Sequence, residues 1–232
     1  MKKNVLAVIL AAGKGNRFTH DVPKQYIELR RKPILAYSLE AFEHVDDVDA
    51  ICVVASEDCF PTVERIAKKY KITKLQYVIQ GGEVRTDSVR SALDIASEYT
   101  NVLIHDSARP LVPQECVQQM IDILNSGCLA TTAALESTDT VAVSMDRQTV
   151  ANIPQRSNIF MIQTPQGFRS SIIKDAYDRM KNDELSPAFT DDCGLVMNYF
   201  PDVDIQIVPG SRGLHKLTYP EDMSVLESIL KS

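Results

Sequence analysis

Small, glycine-rich and basic residues cluster near the amino terminus of the sequence, as Leu10-Ala11-Ala12-Gly13-Lys14-Gly15-Asn16-Arg17 followed by Pro23-Lys24-Gln25. Glycines let backbone N–H groups approach an anion closely, and the lysines and arginine add positive charge. The segment is not a dinucleotide fingerprint, since Phe18 replaces the third glycine, and it lacks the G-K-[ST] of a Walker A loop. We therefore predict a polyphosphate-binding loop. A solvated turn with ordinary surface charges is the alternative.

A second glycine-containing segment begins at Gly81-Gly82 and continues through Glu83 to Arg85 and Ser88. The glycines precede a helical pattern, so we expect their N–H groups to be available to a base or a phosphate. Arg85 and Ser88 are three residues apart and lie on one face of that helix. The alternative is a plain tight turn.

Polar residues also follow the apolar run Val102-Leu103-Ile104, as His105-Asp106-Ser107-Ala108-Arg109. A carboxylate at the end of a buried strand needs a metal ion or a cation as its partner. The alternatives for Asp106 are an N-cap or an ion pair with Arg109. We interpret His105 as structural, because no Ser, Cys or second His stands at a spacing typical of catalysis. Thr190 or Asp191 is predicted to cap a helix.

Apolar and amphipathic runs alternate along the chain, which predicts a β/α fold. The predicted strands span residues 5–11, 50–55, 75–79, 102–105, 159–162 and 205–208. The predicted helices span residues 33–42, 61–70, 85–98, 113–124, 170–181, 191–199 and 220–230. Strands that are apolar on both faces predict a mostly parallel sheet covered by helices on both faces. Ligands of such a sheet bind beyond the carboxyl ends of the strands, where the three polar segments meet.

Residues 137–158 interrupt the alternation of strands and helices. Alternating apolar and polar residues from Val141 to Ile153, broken by Met145-Asp146-Arg147-Gln148, predict a β-hairpin or arm. We expect it to project from the body and to pack against a second copy of the chain. With no repeat or linker in the sequence, we expect a single domain over residues 1–232 with this internal arm.

Composition excludes several classes of protein. The chain has 232 residues, 31 acidic against 25 basic side chains and a net charge of −6, which argues against a general nucleic-acid or anionic-membrane binder. It contains no apolar run long enough to span a membrane. Five scattered cysteines without a C-x-x-C spacing predict reduced thiols in a cytoplasmic protein. The charged and apolar start imitates a secretory signal, but it leads into a glycine-rich loop and is predicted to be a buried strand.

The motifs in their order resemble a known family. The segment 10–17 with Pro23-Lys24-Gln25 is typical of nucleotidyltransferases that join a nucleoside triphosphate to a phosphorylated sugar or alcohol. Further motifs narrow the resemblance: Gly81-Gly82-x-x-Arg85-x-x-Ser88-Val89, His105-Asp106-Ser107-Ala108-Arg109-Pro110, Asp139-Thr140, Gln163-Thr164-Pro165-Gln166, Thr190-Asp191-Asp192 and Pro220-Glu221-Asp222. Together they resemble the 2-C-methyl-D-erythritol 4-phosphate cytidylyltransferases and their relatives, the ribitol-5-phosphate cytidylyltransferases. The resemblance implies a Rossmann-like nucleotidyltransferase fold and an interlocked homodimer.

The resemblance also implies an activity and a role for each motif residue. CTP and a pentitol-type phosphate would give a CDP-alcohol and pyrophosphate with Mg²⁺ or another divalent cation. The implied catalytic cations are Arg17, Lys24 and Lys216. The implied CTP-binding residues are Ala11, Ala12, Gly13, Gly15, Gly82, Glu83, Arg85, Ser88 and Ser107. Arg109, Thr140 and Arg156 are implied to bind the acceptor phosphate, and Asp106 the metal.

Two departures from the family pattern bear on these expectations. Leu214-His215 precede Lys216 where the family has Asn-Ile or Asn-Leu, and Ser107 is shared with the ribitol branch. Residues 152–156 are also similar to the ribitol branch, whereas Ala108, Thr190-Asp191-Asp192 and Pro220-Glu221-Asp222 favour methylerythritol phosphate as the acceptor, in the isoprenoid precursor pathway. The first alternative is ribitol 5-phosphate or another polyol phosphate for surface polymers. The second is a non-catalytic nucleotide-binding protein, against which the joint presence of Arg17, Lys24, Asp106 and Lys216 argues.

Overall fold

The centre of the computed structural model, which describes residues 3–13 and 23–231, is a seven-stranded sheet. In chain order, the strands of the described ranges are β1 (Lys3–Leu10), β2 (Glu28–Leu29), β3 (Lys32–Pro33), β4 (Ala50–Ala55), β5 (Leu75–Gln80), β6 (Tyr99–Asp106), β7 (Ala130–Glu136), β8 (Phe160–Arg169) and β9 (Ile205–Pro209). The sheet order is β5-β4-β1-β6-β8-β7-β9. Strand β8 runs antiparallel to both of its neighbours, and every other pairing in the sheet is parallel. The predicted mostly parallel sheet is confirmed.

Helices cover both faces of this sheet, as the alternation predicts. The helices are α1 (Ile34–Glu43), α2 (Phe60–Lys69), α3 (Arg85–Ala96), α4 (Gln114–Asn125), α5 (Ser170–Lys181), α6 (Asp192–Tyr199) and α7 (Asp222–Ile229). Along β1, Val5, Ala7 and Ile9 contribute to a core with α1, α2 and α4, whereas Leu6 and Val8 contribute to a core with α3, α5 and α6. Successive side chains of a strand point to opposite faces, so a strand buried on both sides must be apolar throughout.

Several boundaries differ from the predicted ones for local reasons. Pro33 and Pro113 precede α1 and α4 with extended backbone, so each helix begins one residue later. Strands β2 and β3, of two residues each, form an antiparallel hairpin that we did not predict. Its turn residues, Arg30 and Arg31, have φ of 49° and 64°, a conformation that glycine or asparagine normally signals. Strand β8 continues seven residues past the predicted end at residue 162, because its residues 166–169 pair with β6 and its residues 166–168 also pair with β7.

The segment between β7 and β8 lies outside the sheet. Residues 138–153 are exposed, and the predicted hairpin is reduced to a single antiparallel bridge between Val143 and Asn152. At the tip, the Asp146 carboxylate accepts hydrogen bonds from the N–H groups of Gln148 and Thr149 at 2.9 and 2.8 Å. At the base, the N–H of Ser137 donates to the carbonyl of Ile159 at 2.9 Å. We call residues 137–158 the arm.

Two observations bear on the environment of the chain. Every helix within residues 3–13 and 23–231 is too short or too polar to cross a bilayer. All five cysteines are free thiols, four of them buried, which agrees with the prediction of reduced thiols.

Candidate active site

The polar segments after β1, β5 and β6 meet at one edge of the sheet. The N–H of Ser107 donates to the carbonyl of Leu10 at 3.1 Å, and the N–H of Gly81 donates to the carbonyl of Ala55 at the end of β4. A cavity of about 420 Å³ opens between them. It is lined by Leu10, Ala11, Ala12, Gly13, Lys24, Gln25, Gly82, Glu83, Val84, Arg85, Ser88, Asp106, Ser107, Ala108, Lys216 and Thr218. Within the described residues, the structure thus brings together all the predicted catalytic, CTP-binding and metal-binding side chains; Gly15 and Arg17 lie outside the described ranges.

Asp106 ends β6 and forms the charged centre of this cavity. Its Oδ2 accepts a hydrogen bond from Lys216 Nζ at 2.6 Å, and its Oδ1 lies 3.2 Å from Arg85 Nε. Burial opposes ionisation of the carboxyl, but the two cations outweigh it and hold the pKa of Asp106 well below its usual range. Asp106 is therefore an anion with cation partners from two distant segments. The alternative ion pair with Arg109 is not formed, since the ion-pair partners of Asp106 are Arg85 and Lys216, while Arg109 Nη1 donates to the carbonyl of Leu214 at 2.6 Å.

His105 is a buried structural residue, as predicted. Burial lowers the pKa of His105 to about 4, so the ring is neutral at physiological pH. Its Nε2 lies 3.0 Å from the carbonyl oxygen of Arg109, which can only accept, so Nε2 carries the proton. Nδ1 then accepts from the Thr164 hydroxyl at 3.0 Å, and that hydroxyl oxygen accepts the N–H of Asp106 at 3.1 Å. The ring therefore supports the backbone that carries Asp106.

The glycine pair after β5 is packed more tightly than a free anion-binding turn. The N–H of Gly81 is bonded to Ala55, and the N–H of Gly82 donates to Ser88 Oγ at 3.2 Å. The expectation that both N–H groups are free for a ligand is therefore wrong. A Cβ on Gly81 would lie 2.4 Å from the Ala12 side chain, and one on Gly82 would lie 2.1 Å from Asp87 Cβ. Glycine is needed here for close approach of the loops.

Lys24 and Gln25 connect the first loop to the segment that carries Lys216. Gln25 is buried, and its Nε2 donates to the carbonyl of Ala11 at 2.5 Å. Lys24 Nζ donates to the carbonyl of Leu217 at 2.8 Å. Gln25 belongs to the Pro23-Lys24-Gln25 motif, but its residue type and spacing alone predict no role for it. Its burial explains why an amide, which can bond loop carbonyls without adding charge, follows the lysine.

Two further cavities adjoin the first on the side of Arg109. One, of about 250 Å³, shares Arg85 with the first cavity and is lined by Arg85, Arg109, Ile162, Gln163, Thr164, Gln166, Thr190 and Asp191. The other is an open groove of about 1000 Å³ that contains Arg109 and Lys216. Thr140 and Arg156 are exposed on the arm and line none of these three cavities. Within this chain, the structure therefore does not bring the three predicted acceptor-phosphate residues together.

Comparison with known proteins identifies the family. A family model described as IspD, 2-C-methyl-D-erythritol 4-phosphate cytidylyltransferase, matches residues 5–232. The chain belongs to this family. The proteins of that name from Bifidobacterium longum and Lachnoclostridium phytofermentans are 40% and 36% identical to it; the alignments cover 97% and 99% of this chain, and 79% and 97% of theirs.

Solved structures share the fold of this family member. The 4-diphosphocytidyl-2C-methyl-D-erythritol synthase of Anaerococcus prevotii superimposes with a TM-score of 0.85 at 28% identity, covering 100% of this chain and 97% of that one. The 2-C-methyl-D-erythritol 4-phosphate cytidylyltransferase of Thermus thermophilus gives a TM-score of 0.76 at 25% identity and covers all of both chains. The predicted Rossmann-like nucleotidyltransferase fold is confirmed.

The departure from the IspD family pattern at Leu214-His215 leaves Lys216 anchored. His215 Nε2 lies 2.7 Å from Asp222 Oδ1, and the other carboxylate oxygen accepts the N–H groups of Thr218 and Tyr219 at 2.7 Å each. Burial of Asp222 is outweighed by these hydrogen bonds, which lower its pKa. The Pro-Glu-Asp motif at the start of α7 therefore clamps the segment on which Lys216 stands.

Proposed function

We propose that this protein transfers the cytidylyl group of CTP to 2-C-methyl-D-erythritol 4-phosphate and releases pyrophosphate. The observation that carries the proposal is the cavity in which Lys24 and Lys216 lie beside the ionised Asp106. The family match and the names of its relatives favour methylerythritol phosphate over ribitol 5-phosphate. This reaction uses nucleotide substrates of the cell interior, and we place the enzyme in the cytoplasm.

The transfer is a displacement at the α-phosphorus of CTP. An oxygen of the acceptor phosphate attacks that phosphorus, a new P–O bond forms, and the bond to the bridging oxygen of the β-phosphate breaks, so that pyrophosphate leaves with the electron pair. A phosphate anion is already a nucleophile and needs no base. The protein therefore has to position the reactants and stabilise charge on the transferring and leaving oxygens.

The chain supplies cations for both tasks. We assign Lys24, Lys216 and Arg17 to the α-phosphate and the departing pyrophosphate. Lys216 is bonded to Asp106, so an incoming triphosphate competes with the carboxylate for this lysine. We assign the nucleotide to the cavity lining, with the loop after β1 around ribose and phosphates and the Gly82–Ser88 segment at the cytosine. The CTP-binding set is Ala11, Ala12, Gly13, Gly15, Gly82, Glu83, Arg85, Ser88 and Ser107.

A divalent cation fits this site only in company with the nucleotide. The described ranges contain no cluster of three His, Cys, Asp or Glu side chains that could hold a metal. Mg²⁺ commonly binds one or two carboxylates together with substrate phosphates and water, and Asp106 offers one carboxylate beside the cavity. Bound there, Mg²⁺ would neutralise phosphate charge. We propose that Asp106 is its ligand from the protein.

The acceptor side of the site has unsatisfied polar atoms. Arg109 Nε and Gln163 Oε1 are buried without a hydrogen-bond partner in the described chain, and both residues line the 250 Å³ cavity. Hydroxyl groups of a polyol can donate to the amide oxygen and accept from the guanidinium. We propose that the acceptor lies here, with its phosphate held by Arg109 of one subunit and by Thr140 and Arg156 from the arm of a second.

A homodimer explains why the arm is both exposed and apolar. Val141, Val143, Met145, Val150 and Ile153 are between 39% and 86% exposed. Exposed apolar groups that cluster on one element are typical of an interaction surface. Replacing Met145 and Val150 by aspartate should give a monomer with little activity, as measured by analytical ultracentrifugation and turnover. A fully active monomer would contradict the dimer proposal.

Pyrophosphate release tests the function directly. The assay supplies CTP and Mg²⁺ with either methylerythritol 4-phosphate or ribitol 5-phosphate. We expect a clear preference for methylerythritol 4-phosphate. A preference for ribitol 5-phosphate would move the enzyme to surface polymer synthesis. If neither acceptor leads to pyrophosphate release but CTP still binds, the result would favour another polyol phosphate or a non-catalytic nucleotide-binding protein.

A further inference from the structure

A second carboxylate, that of Asp192, faces Arg85 in addition to Asp106. Asp192 begins α6 and its side chain is completely buried. Its Oδ2 lies 2.7 Å from Arg85 Nη2, and its Oδ1 accepts the hydroxyl of Tyr177 at 2.7 Å. Its own N–H donates to Gln166 Oε1 at 3.0 Å. The carboxylate therefore has one ion-pair partner, which lies close without hydrogen-bond geometry, and one hydrogen-bond partner, while its backbone is fixed by Gln166.

Arg85 is therefore shared between two carboxylates through different nitrogens. Its Nε lies 3.2 Å from Asp106, and its Nη2 contacts Asp192. Burial disfavours the charged guanidinium, but the two aspartates outweigh this and raise the pKa of Arg85. The contact with Asp192 thus holds the guanidinium in a fixed place beside Asp106.

The other cation partner of Asp106 has a different setting. Lys216 stands on an irregular segment and its side chain is 40% exposed, whereas the Arg85 side chain is 22% exposed and begins α3. A flexible ammonium can leave a carboxylate for a phosphate more readily than a guanidinium held by two carboxylates. When a triphosphate draws Lys216 away, Arg85 is the contact that remains on Asp106.

We propose that Asp192 and Tyr177 are positioning residues, which hold Arg85 against Asp106 and so keep the Asp106 carboxylate oriented after Lys216 moves to the nucleotide. The inference rests on the proposed function and deepens it. Groups that orient a ligand carboxylate from behind typically contribute a factor of about 10 to 100 in metal affinity or activity. The Thr190-Asp191-Asp192 motif then has two tasks, since Asp191 caps α6 through the N–H of Gly194 at 3.1 Å.

The test compares two tyrosine–aspartate pairs in one protein. Asp192→Asn and Tyr177→Phe alter the buried pair. Asp183→Asn and Tyr199→Phe make the same changes in a second, half-buried pair, where Tyr199 donates to Asp183 at 2.9 Å and neither side chain forms an ion pair with Arg85. All four proteins are compared with wild type for kcat, for the KM values, and for CTP affinity by calorimetry with and without Mg²⁺.

We expect Asp192→Asn to lower kcat by about 10- to 100-fold and to lose most of the gain in CTP affinity that Mg²⁺ gives the wild type. Tyr177→Phe should lower both quantities in the same direction but by less. The two control variants should have the wild-type kcat and the wild-type gain in CTP affinity. The double variant Arg85→Lys with Asp192→Asn should have the same kcat as Arg85→Lys alone, because both substitutions act through one contact.

A purely structural role would give a different result. The Asp192→Asn protein would then unfold more easily, but at a temperature where circular dichroism shows it folded it would keep wild-type kcat and the wild-type effect of Mg²⁺ on CTP affinity; that outcome overturns the inference. If Asp192→Asn does not fold, Tyr177→Phe decides on the same two measurements. Calorimetry does not depend on the acceptor, so a wild-type enzyme inactive with methylerythritol phosphate would refute the proposed function without deciding this one.

Discussion

The neutral, buried His105 should make the folded state sensitive to mild acid. The pKa of His105 is about 4 in the fold and about 6.5 in the unfolded chain. The unfolded state therefore binds more protons as the pH falls, so the contribution of His105 to stability is complete above about pH 6.5 and is lost toward pH 4. The difference of about 2.5 units corresponds to about 3 kcal/mol, of which about 2 kcal/mol is already lost at about pH 5.

Replacing the imidazole isolates this effect. Glutamine at position 105 can donate to the carbonyl of Arg109 and accept from Thr164, but it does not titrate. We expect the free energy of unfolding to fall between about pH 7 and about pH 5 by about 2 kcal/mol less in His105→Gln than in wild type. The pKa of Asp106 lies well below this window in the fold, so its ionisation does not change there.

Urea denaturation, followed by circular dichroism in a buffer that contains a metal chelator, measures how the free energy of unfolding changes with pH in both proteins. His44→Gln, which removes an exposed histidine after α1, is the control and should keep the wild-type slope. If His105→Gln loses stability between the two pH values as steeply as wild type does, the buried neutral ring is not the origin of the effect and the hydrogen-bond assignment around Thr164 is wrong.

Three further predictions concern the site itself. Lys24→Ala should lower kcat by about 10²- to 10³-fold in the pyrophosphate assay while the exposed Lys68→Ala does not, and near wild-type turnover would reject the role of Lys24. Arg156→Ala should raise the KM for the acceptor and leave the KM for CTP unchanged. An equal rise in both KM values would show that the assignment of Arg156 to the acceptor phosphate is wrong. Gly82→Ala should lower the free energy of unfolding in urea by about 1 to 3 kcal/mol and weaken CTP binding in calorimetry, because its Cβ would lie 2.1 Å from Asp87 Cβ. If neither value changes, the loop can move enough to accept a side chain and the close approach is not required.

Much of the fold follows from periodicity, because strands buried on both faces and helices with one apolar face carry clear patterns. β4 is apolar from end to end and β1 is apolar from Val5 to Leu10, and their bounds were predicted to within about two residues. The hairpin of β2 and β3 has two residues per strand and turns on arginines, so it lacks both periodicity and glycine. The polar run Gln163-Thr164-Pro165-Gln166 predicts a strand end, yet β8 continues through it, because both neighbouring strands pair with β8 from Gln166 onward.

The site shows a similar division between local and tertiary information. Strand ends and loop composition predict which residues line the 420 Å³ cavity, since parallel strands bring their carboxyl ends together. The partners of the charged groups were not predictable in this way. Arg85 and Asp192 are 107 positions apart and no spacing relates them, so only the tertiary structure, which brings their side chains within 2.7 Å, reveals the pair.

The segment 214–217 gives the two halves of the site a common support. Leu214 accepts from Arg109 on the acceptor side, while Leu217 accepts from Lys24 and donates to Ala108 on the nucleotide side. If the acceptor binds at Arg109 and CTP beside Lys24, as proposed, we expect a shift of Arg109 on acceptor binding to reach Lys24 through this segment. The two substrates should influence each other's affinity by the same factor in both directions, and calorimetric titration of each in the presence and absence of the other would measure it. Recognition of the acceptor then becomes part of how the nucleotide is held.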